Sequence, residues 1–224
     1  MKILKRVARE LGEHAPFTAM GAVAGIIVMV IIHFANASRE ISEALFYTLH
    51  PLHIVLSALV TTAMYRRHKG GRLWATILIG YTGSVGIATL SDIIIPYAGG
   101  DVLNIPWEFE LPFIEASNMP FIGIPKWIIV NAAAVIGMAI AYWKPTTRLP
   151  HMGHVLLSTW ASLFSFTAFG IANWIPLLPF VFLFLFLAVW LPCCVSDIVY
   201  PLLCSRYIDV VTSALKTIWR GWRV

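Results

Sequence analysis

Charged residues are scarce in this chain. Only 12% of the 224 residues are charged and 59% are hydrophobic, and the mean hydropathy is +0.80. Such a composition excludes an ordinary soluble domain. The formal net charge of +5 matches anionic lipid head groups better than nucleic acid. The sequence therefore predicts an integral membrane protein whose surroundings are the lipid bilayer, with no nucleic-acid partner.

Cysteine is also scarce, and the familiar catalytic motifs are missing. Cys193, Cys194 and Cys204 form an odd-numbered set near one end of the chain, which is a poor basis for a disulfide framework. We interpret Cys193 as a small buried hydrophobe rather than as a ligand. The sequence has no HExxH, GxSxG or CxxC motif and no glycine-rich phosphate loop, so it lacks the common signatures of hydrolases and nucleotide-binding enzymes.

Six apolar stretches have about the length that a transmembrane helix needs. A helix crosses a hydrocarbon core of about 30 Å with about 20 apolar residues. The candidate spans lie at about 16–35, 50–65, 73–95, 121–143, 152–172 and 175–200. Fourteen of the sixteen Lys and Arg residues fall on one side of this arrangement. The positive-inside rule then predicts a plasma (inner) membrane protein with both termini in the cytoplasm.

One polar phrase occurs twice in the sequence. It consists of two histidines three residues apart, followed further along by Ser-Asp-x-x-x-Pro. The first copy begins at His50 and reaches Asp92, and the second begins at His151 and reaches Asp197. The second histidine pair follows the first by 101 residues, and the second aspartate follows the first by 105. These near-constant offsets indicate a duplication. Three spans per copy would make the copies inverted, as in many secondary transporters.

The predicted fold is therefore an all-α integral membrane protein with six transmembrane helices in an inverted 3+3 repeat. Residues 1–100 would form the first three-helix repeat, residues 101–120 an extracytoplasmic acidic loop, and residues 121–203 the second, inverted repeat. Residues 204–224 place apolar and basic side chains on different sides of a helix. This pattern predicts an amphipathic helix that lies on the cytoplasmic side of the membrane.

The repeated polar residues predict two clusters at opposite membrane faces, each near the end of its spans. The outer cluster would contain His50, His53, Asp92 and Asn118. The inner cluster would contain His14, His151, His154 and Asp197. At 1.5 Å of rise per residue, the two clusters would lie about 25 Å apart. Tilted or re-entrant second and fifth helices are an alternative that would bring the clusters closer together.

Imidazole and carboxylate groups are preferred ligands of first-row transition metals. We therefore expect a transporter of a divalent transition metal (Zn, Fe, Mn, Co or Ni) that uses both clusters, and the small size of the chain favours a homodimer. One alternative is a membrane-embedded zinc hydrolase, in which the inner cluster holds Zn²⁺ that activates water against a lipid. A second alternative is a non-transporting membrane subunit whose His–Asp contacts only fix helix packing.

Overall fold

The computed structural model is all-helical over the residues that it describes. These residues are 2–35, 39–69, 72–106, 108–119, 122–145, 148–169, 175–201, 203–204 and 207. Some side chains within the helices are outside the described part, and those of His14, His151 and Asp197 are among them. The predicted amphipathic helix at 204–224 also lies outside the described residues, except for positions 204 and 207.

Six long helices follow one another through the described ranges. They are α1 (Lys2–Phe34), α2 (Arg39–Lys69), α3 (Leu73–Val102), α4 (Lys126–Trp143), α5 (Arg148–Phe169) and α6 (Leu178–Cys194). Four stretches within the described residues are long and apolar enough to cross a membrane, namely those of α2, α3, α4 and α6. The predicted all-α membrane class is confirmed at this level. Six spans and an inverted repeat remain predictions.

Two of the three described π-helical turns lie at the Ser-Asp motifs. One is Leu90–Ile94 within α3, and the other is Val195–Val199, which extends α6. In α3 the turn precedes Pro96, which lies four residues after Asp92. Proline has no N–H to donate, and its ring crowds the carbonyl four residues earlier. A wider π-helical turn relieves this crowding, and such turns are frequent at functional sites.

Helix α2 begins eleven residues before the predicted start of the second span at position 50. The charges near its beginning hide this extension from a search for apolar stretches. In the structure Arg39 forms an ion pair with Glu43 at 2.8 Å and another with Glu108 of a following loop, so the helix continues beyond the apolar stretch. His50 therefore lies about 17 Å along the helix axis from Arg39. It thus lies about three turns inside α2 and not near the end of this helix, where we expected it.

Helix α2 is the centre of the bundle. Its most extensive contacts are with α5 and α4, whereas α1 packs against α5 and α6. The contact with α4 is close at Gly137, where an added Cβ atom would lie 2.2 Å from the backbone oxygen of Val55. A glycine is needed there because any side chain would force the two helices apart.

The segment between α3 and α4 folds back over the beginning of α2 and of α4. Lys126, the first residue of α4, lies 2.6 Å from a carboxylate oxygen of Glu110 and 2.9 Å from one of Glu115. The hydroxyl of Tyr47 in α2 donates to Glu110. Helix α3 itself ends at Val102, two residues into the predicted loop at 101–120. These contacts hold the acidic loop against the bundle.

Candidate metal centre

The carboxylate of Asp92 is the centre of a buried polar group. Its Oδ2 atom lies 2.8 Å from Nδ1 of His50 and 2.7 Å from Nδ1 of His53. The three side chains are at most 1% exposed. The two histidines are one helical turn apart on α2, so they point the same way. Asp92 reaches them from the π-helical turn of α3.

Three serine hydroxyls lie within hydrogen-bond distance of Oδ1, the other carboxylate oxygen of Asp92. Ser91 and Ser158 donate to Oδ1 of Asp92 at 2.7 and 3.0 Å. The hydroxyl of Ser162 lies 3.3 Å from the same oxygen and closer to the backbone oxygens of Ser158 and Ser91, at 2.8 and 3.0 Å. Two of these serines lie on α5, so the carboxylate ties α5 to α3 as well as to α2. A buried carboxylate needs such donors because its desolvation is costly. Asp92 is therefore held in place by four donors from three helices, namely His50, His53, Ser91 and Ser158.

Both histidines are set in one orientation by this arrangement. An ionised carboxylate only accepts hydrogen bonds, so each Nδ1 must carry the proton that it donates to Asp92. In a neutral imidazole, the lone pair is then left on Nε2. A carboxylate behind a histidine that binds a metal through its other nitrogen is a recurrent arrangement. The Nε2 atoms of His50 and His53 are thus the ones prepared to bind a cation.

His154 of α5 lies directly against His53. The two rings are stacked, with their centroids 4.9 Å apart and an angle of 17° between their planes. These residues belong to different copies of the repeated phrase and were expected about 25 Å apart, in clusters at opposite membrane faces. The expected separation is wrong for this pair. The reason is that α2 begins at Arg39, so His53 lies well inside this helix and not at its end.

Cys193 completes the group from the end of α6. One ligand atom from each of His53, His154 and Cys193 lies within 4.8 Å of the other two. The same criterion is met by His50, His53 and Asp92. The two sets share His53, so we treat them as one unit. We call these five residues, His50, His53, Asp92, His154 and Cys193, the central cluster.

The electrostatics of the central cluster favour a cation. Asp92 is fully buried and, among the described side chains, has no ion pair with Lys or Arg. Lys126, at the start of α4, does not compensate this charge, since it pairs with Glu110 and Glu115 of the acidic loop. A buried negative charge that is compensated only by hydrogen bonds attracts a positive ion strongly in a medium of low dielectric constant.

No family model, curated protein or solved structure matches this chain. A functional inference must therefore come from the chemistry of the site and not from a relative. That chemistry is a set of nitrogen, oxygen and sulfur atoms that are typical ligands of transition metals.

Asn118 does not belong to the central cluster. It is exposed and lies in the loop before α4, where its backbone forms a bridge with Pro125. The prediction aligned Asn118 with His14, but His14 is inside α1, so the two positions are not structurally equivalent. The outer cluster predicted from the sequence is therefore reduced to His50, His53 and Asp92. The side chains of His14, His151 and Asp197 lie outside the described residues, so their predicted role as ligands stays a prediction.

Four residues of the site or its surroundings were not assigned a role from the sequence. Ser91 and Ser158 stand within the repeated phrase, next to Asp92 and four residues after His154, so the repetition itself was a usable signal. Ser162 lies one turn further along α5 and could have been found by helical spacing. Cys193 has no counterpart in the repeat, because the residue 105 positions earlier is Ala88. Its only signal was helical spacing, since it lies four residues before Asp197, and we interpreted it as a buried hydrophobe.

Proposed function

We propose that this chain transports a divalent transition-metal cation through a single site in the middle of the bundle. The observation that carries the proposal is the stacking of His53 on His154, 4.9 Å apart, beside the buried carboxylate of Asp92. Neutral imidazoles and a carboxylate suit first-row divalent metals. Transporters commonly bind their substrate near the middle of the membrane, where two halves of the protein meet.

We infer further that the two halves form an inverted repeat of three helices each, with both termini in the cytoplasm. The π-helical turns at Leu90–Ile94 and Val195–Val199 are 105 residues apart at both ends, which is also the offset between the two aspartates. Helix α1 packs against α5, and α4 packs against α2, as an exchange of the two halves requires. These correspondences support a duplication of structure as well as of sequence.

Side-chain contacts support the same exchange. Ser162 donates to the backbone oxygen of Ser91 at 3.0 Å, and Thr61 donates to the backbone oxygen of Ser196 at 3.5 Å. Thr61 precedes Ser162 by 101 residues and Ser91 precedes Ser196 by 105. A pseudo-two-fold axis that exchanges these pairs also exchanges His53 with His154. The axis would then pass between the two stacked imidazoles, so that rocking of either half exposes the same site.

The burial of the central cluster favours an occluded ion site over the hydrolase alternative. His50, His53 and His154 are at most 1% exposed and Asp92 is fully buried. A hydrolase must admit a lipid substrate and water together to its metal, whereas an alternating-access transporter closes its site on both sides during each cycle.

The proposal is tested by flux into liposomes. The purified full chain is reconstituted with a metal-sensitive dye inside, and Zn²⁺, Mn²⁺, Fe²⁺, Co²⁺ or Ni²⁺ is added outside. We expect uptake of at least one of these ions above protein-free liposomes. The His53→Ala and His154→Ala variants should each lower the rate by roughly tenfold or more, because each removes a ligand from the site.

The matched control is His33→Ala. His33 is an exposed histidine of α1, so its replacement should leave the rate unchanged. Metal content of the purified protein is measured on the same samples. If the wild-type chain takes up no metal faster than either His53→Ala or His154→Ala, the transport proposal is wrong. If the protein also binds no metal at neutral pH, the cluster serves helix packing.

A further inference from the structure

Cys193 is the member of the central cluster that the repeated phrase does not contain. It lies in the last turn of α6 and is 1% exposed. Its thiol donates to the hydroxyl of Ser158 at 3.5 Å. Ser158 in turn donates to Asp92. The sulfur atom is therefore directed at the polar interior of the bundle and not at the apolar exterior, where a cysteine that merely fills space could equally lie.

The groups around Cys193 have the properties of metal ligands. Its sulfur atom lies within 4.8 Å of a ring nitrogen of His53 and of His154. Since Nδ1 of His53 is bonded to Asp92 at 2.7 Å, Nε2 is the nitrogen of that ring left to coordinate. Thiolate sulfur and imidazole nitrogen are both ordinary zinc ligands, and three protein ligands leave a fourth position open.

We propose that Cys193 binds the transported ion as a thiolate, together with His53 and His154, while Asp92 and His50 position the ligands. This inference rests on the proposed function and narrows its substrate to thiophilic divalent ions such as Zn²⁺, with Co²⁺ as a spectroscopic substitute. On binding, the S–H bond of Cys193 breaks, a sulfur–metal bond forms and the proton leaves to the solvent. The oxidation state of neither partner changes.

The ligand set determines which ions are excluded. Thiolate is a soft ligand that prefers Zn²⁺ over the hard ions Mg²⁺, Ca²⁺ and Mn²⁺, which prefer carboxylate and carbonyl oxygen. The carboxylate of Asp92 already accepts hydrogen bonds from His50, His53, Ser91 and Ser158. It is therefore poorly placed to supply the oxygen atoms that a hard ion needs. Of the ions expected from the sequence, Mn²⁺ becomes the weakest candidate.

The test is a Co²⁺ titration of the purified full chain in detergent, followed by absorption spectroscopy. A thiolate bound to Co²⁺ gives a charge-transfer band in the near ultraviolet, whereas histidine ligands alone give only the weaker visible bands. We expect the charge-transfer band in the wild type and in the control Cys204→Ser, which removes a cysteine outside the cluster. The band should disappear in Cys193→Ser.

Metal selectivity gives a second measurement on the same variants. Cys193→Ser should weaken Zn²⁺ binding by roughly tenfold or more and leave Mn²⁺ binding nearly unchanged, so that the preference for Zn²⁺ falls. Serine has almost the shape of cysteine, and thermal melting of the variant checks that the fold survives. If the variant melts at a lower temperature than the wild type, the charge-transfer band of the wild type still shows whether a thiolate binds Co²⁺.

The outcomes separate this inference from the proposed function. If wild-type protein binds Co²⁺ but shows no charge-transfer band, or if Cys193→Ser keeps the band, Cys193 is not a ligand and the proposed transport site stands without it. If the wild type binds neither Co²⁺ nor Zn²⁺, the proposed function itself fails. Binding with the expected band but without flux in liposomes would retain the thiolate site and overturn transport.

Discussion

The two segments that carry the Ser-Asp motif have the same backbone but different neighbours in the central cluster. Both Leu90–Ile94 and Val195–Val199 are π-helical turns. Four residues before Asp92 stands Ala88, whereas the residue four positions before Asp197 is Cys193. The first segment thus brings a carboxylate to the cluster, and the second brings a thiol on the preceding turn.

In the proposed inverted repeat, this difference distinguishes the described contributions of the two halves to the central cluster. The stacked pair of His53 and His154 is common to both halves and would lie on the axis that relates them. Among the described side chains the neighbours of this pair differ, because Asp92 hydrogen-bonds to His53 while Cys193 lies near His53 and His154. The side chain of Asp197 is outside the described part of the chain.

The largest expected effect comes from removing the carboxylate of the first segment. Asp92→Asn keeps the size of the side chain but replaces one oxygen by an NH₂ group that cannot accept from a histidine N–H. His50 and His53 then lose the group that fixes their tautomer. We expect Zn²⁺ affinity, measured by titration calorimetry, to fall roughly ten- to hundredfold, and uptake into liposomes to fall with it.

Asp101→Asn is the matched control for this variant. Asp101 is an exposed aspartate near the end of the same helix, so the change in net charge is identical and the affinity should not change. Equal affinity for Zn²⁺ in wild type and Asp92→Asn would show that the carboxylate does not position the ligands. The two Ser-Asp segments would then no longer differ in the way proposed, with Asp92 positioning the ligands and Cys193 binding the metal.

A second prediction moves the thiol from one half to the other. Starting from Cys193→Ala, which should have lost the Co²⁺ charge-transfer band, Ala88→Cys places a thiol at the equivalent position of α3. If the axis passes between His53 and His154, this sulfur atom should approach the same imidazoles from the opposite side. We expect the band to return, with Zn²⁺ affinity recovered by roughly tenfold relative to Cys193→Ala.

The control for this exchange is Ala75→Cys in the same Cys193→Ala background. Ala75 is also a fully buried alanine of α3, but it packs beside Tyr65 and Ile79. No band should appear, because the thiol is then outside the cluster. A band with Ala75→Cys, or none with Ala88→Cys in a protein that melts like its parent, would contradict the proposed symmetry.

Much of this arrangement follows from the sequence, because repetition and helix direction are local properties. The antiparallel order of α2 and α3, with Asp92 late in its helix, suffices to predict that His50 and His53 lie near that carboxylate. The depth of the group does not follow, since it depends on where α2 begins. Hydropathy places that start at the end of the charged stretch, whereas ion pairs of Arg39 with Glu43 and Glu108 allow the helix to begin earlier.

The contact between His53 and His154 could not be predicted for a related reason. Each histidine was assigned to the end of its own span, and an error of a few turns at 1.5 Å per residue accounts for most of the expected 25 Å. The spacing of Cys193 four residues before Asp197 placed its thiol on the same helix face, but its proximity to His53 and His154 did not follow, because symmetry points to Ala88 instead. A sequence repeat therefore predicts the residues that the two copies have in common, and it gives no information on residues that occur in one copy alone.

The smallest expected effect compares two equivalent hydroxyls. The hydroxyl of Ser162 lies 3.3 Å from Oδ1 of Asp92, whereas its counterpart Thr61 lies 3.2 Å from the hydroxyl of Ser196. Ser162→Ala should lower Zn²⁺ affinity by roughly two- to tenfold, the equivalent of one hydrogen bond. Thr61→Val should leave the affinity within about twofold, because that hydroxyl has no contact with Asp92 among those the structure describes.

Thermal melting of the two variants controls for a difference in their stability. Each change removes one buried hydrogen-bond donor, so both should destabilise the fold by a similar amount, on the order of 1 kcal/mol. A difference in affinity at equal stability then reports the first half's role in positioning the ligands and not a general loosening of the bundle. Equal losses of affinity would mean that both Ser-Asp segments act on the metal, which would restore the functional symmetry that the pair Ala88 and Cys193 argues against.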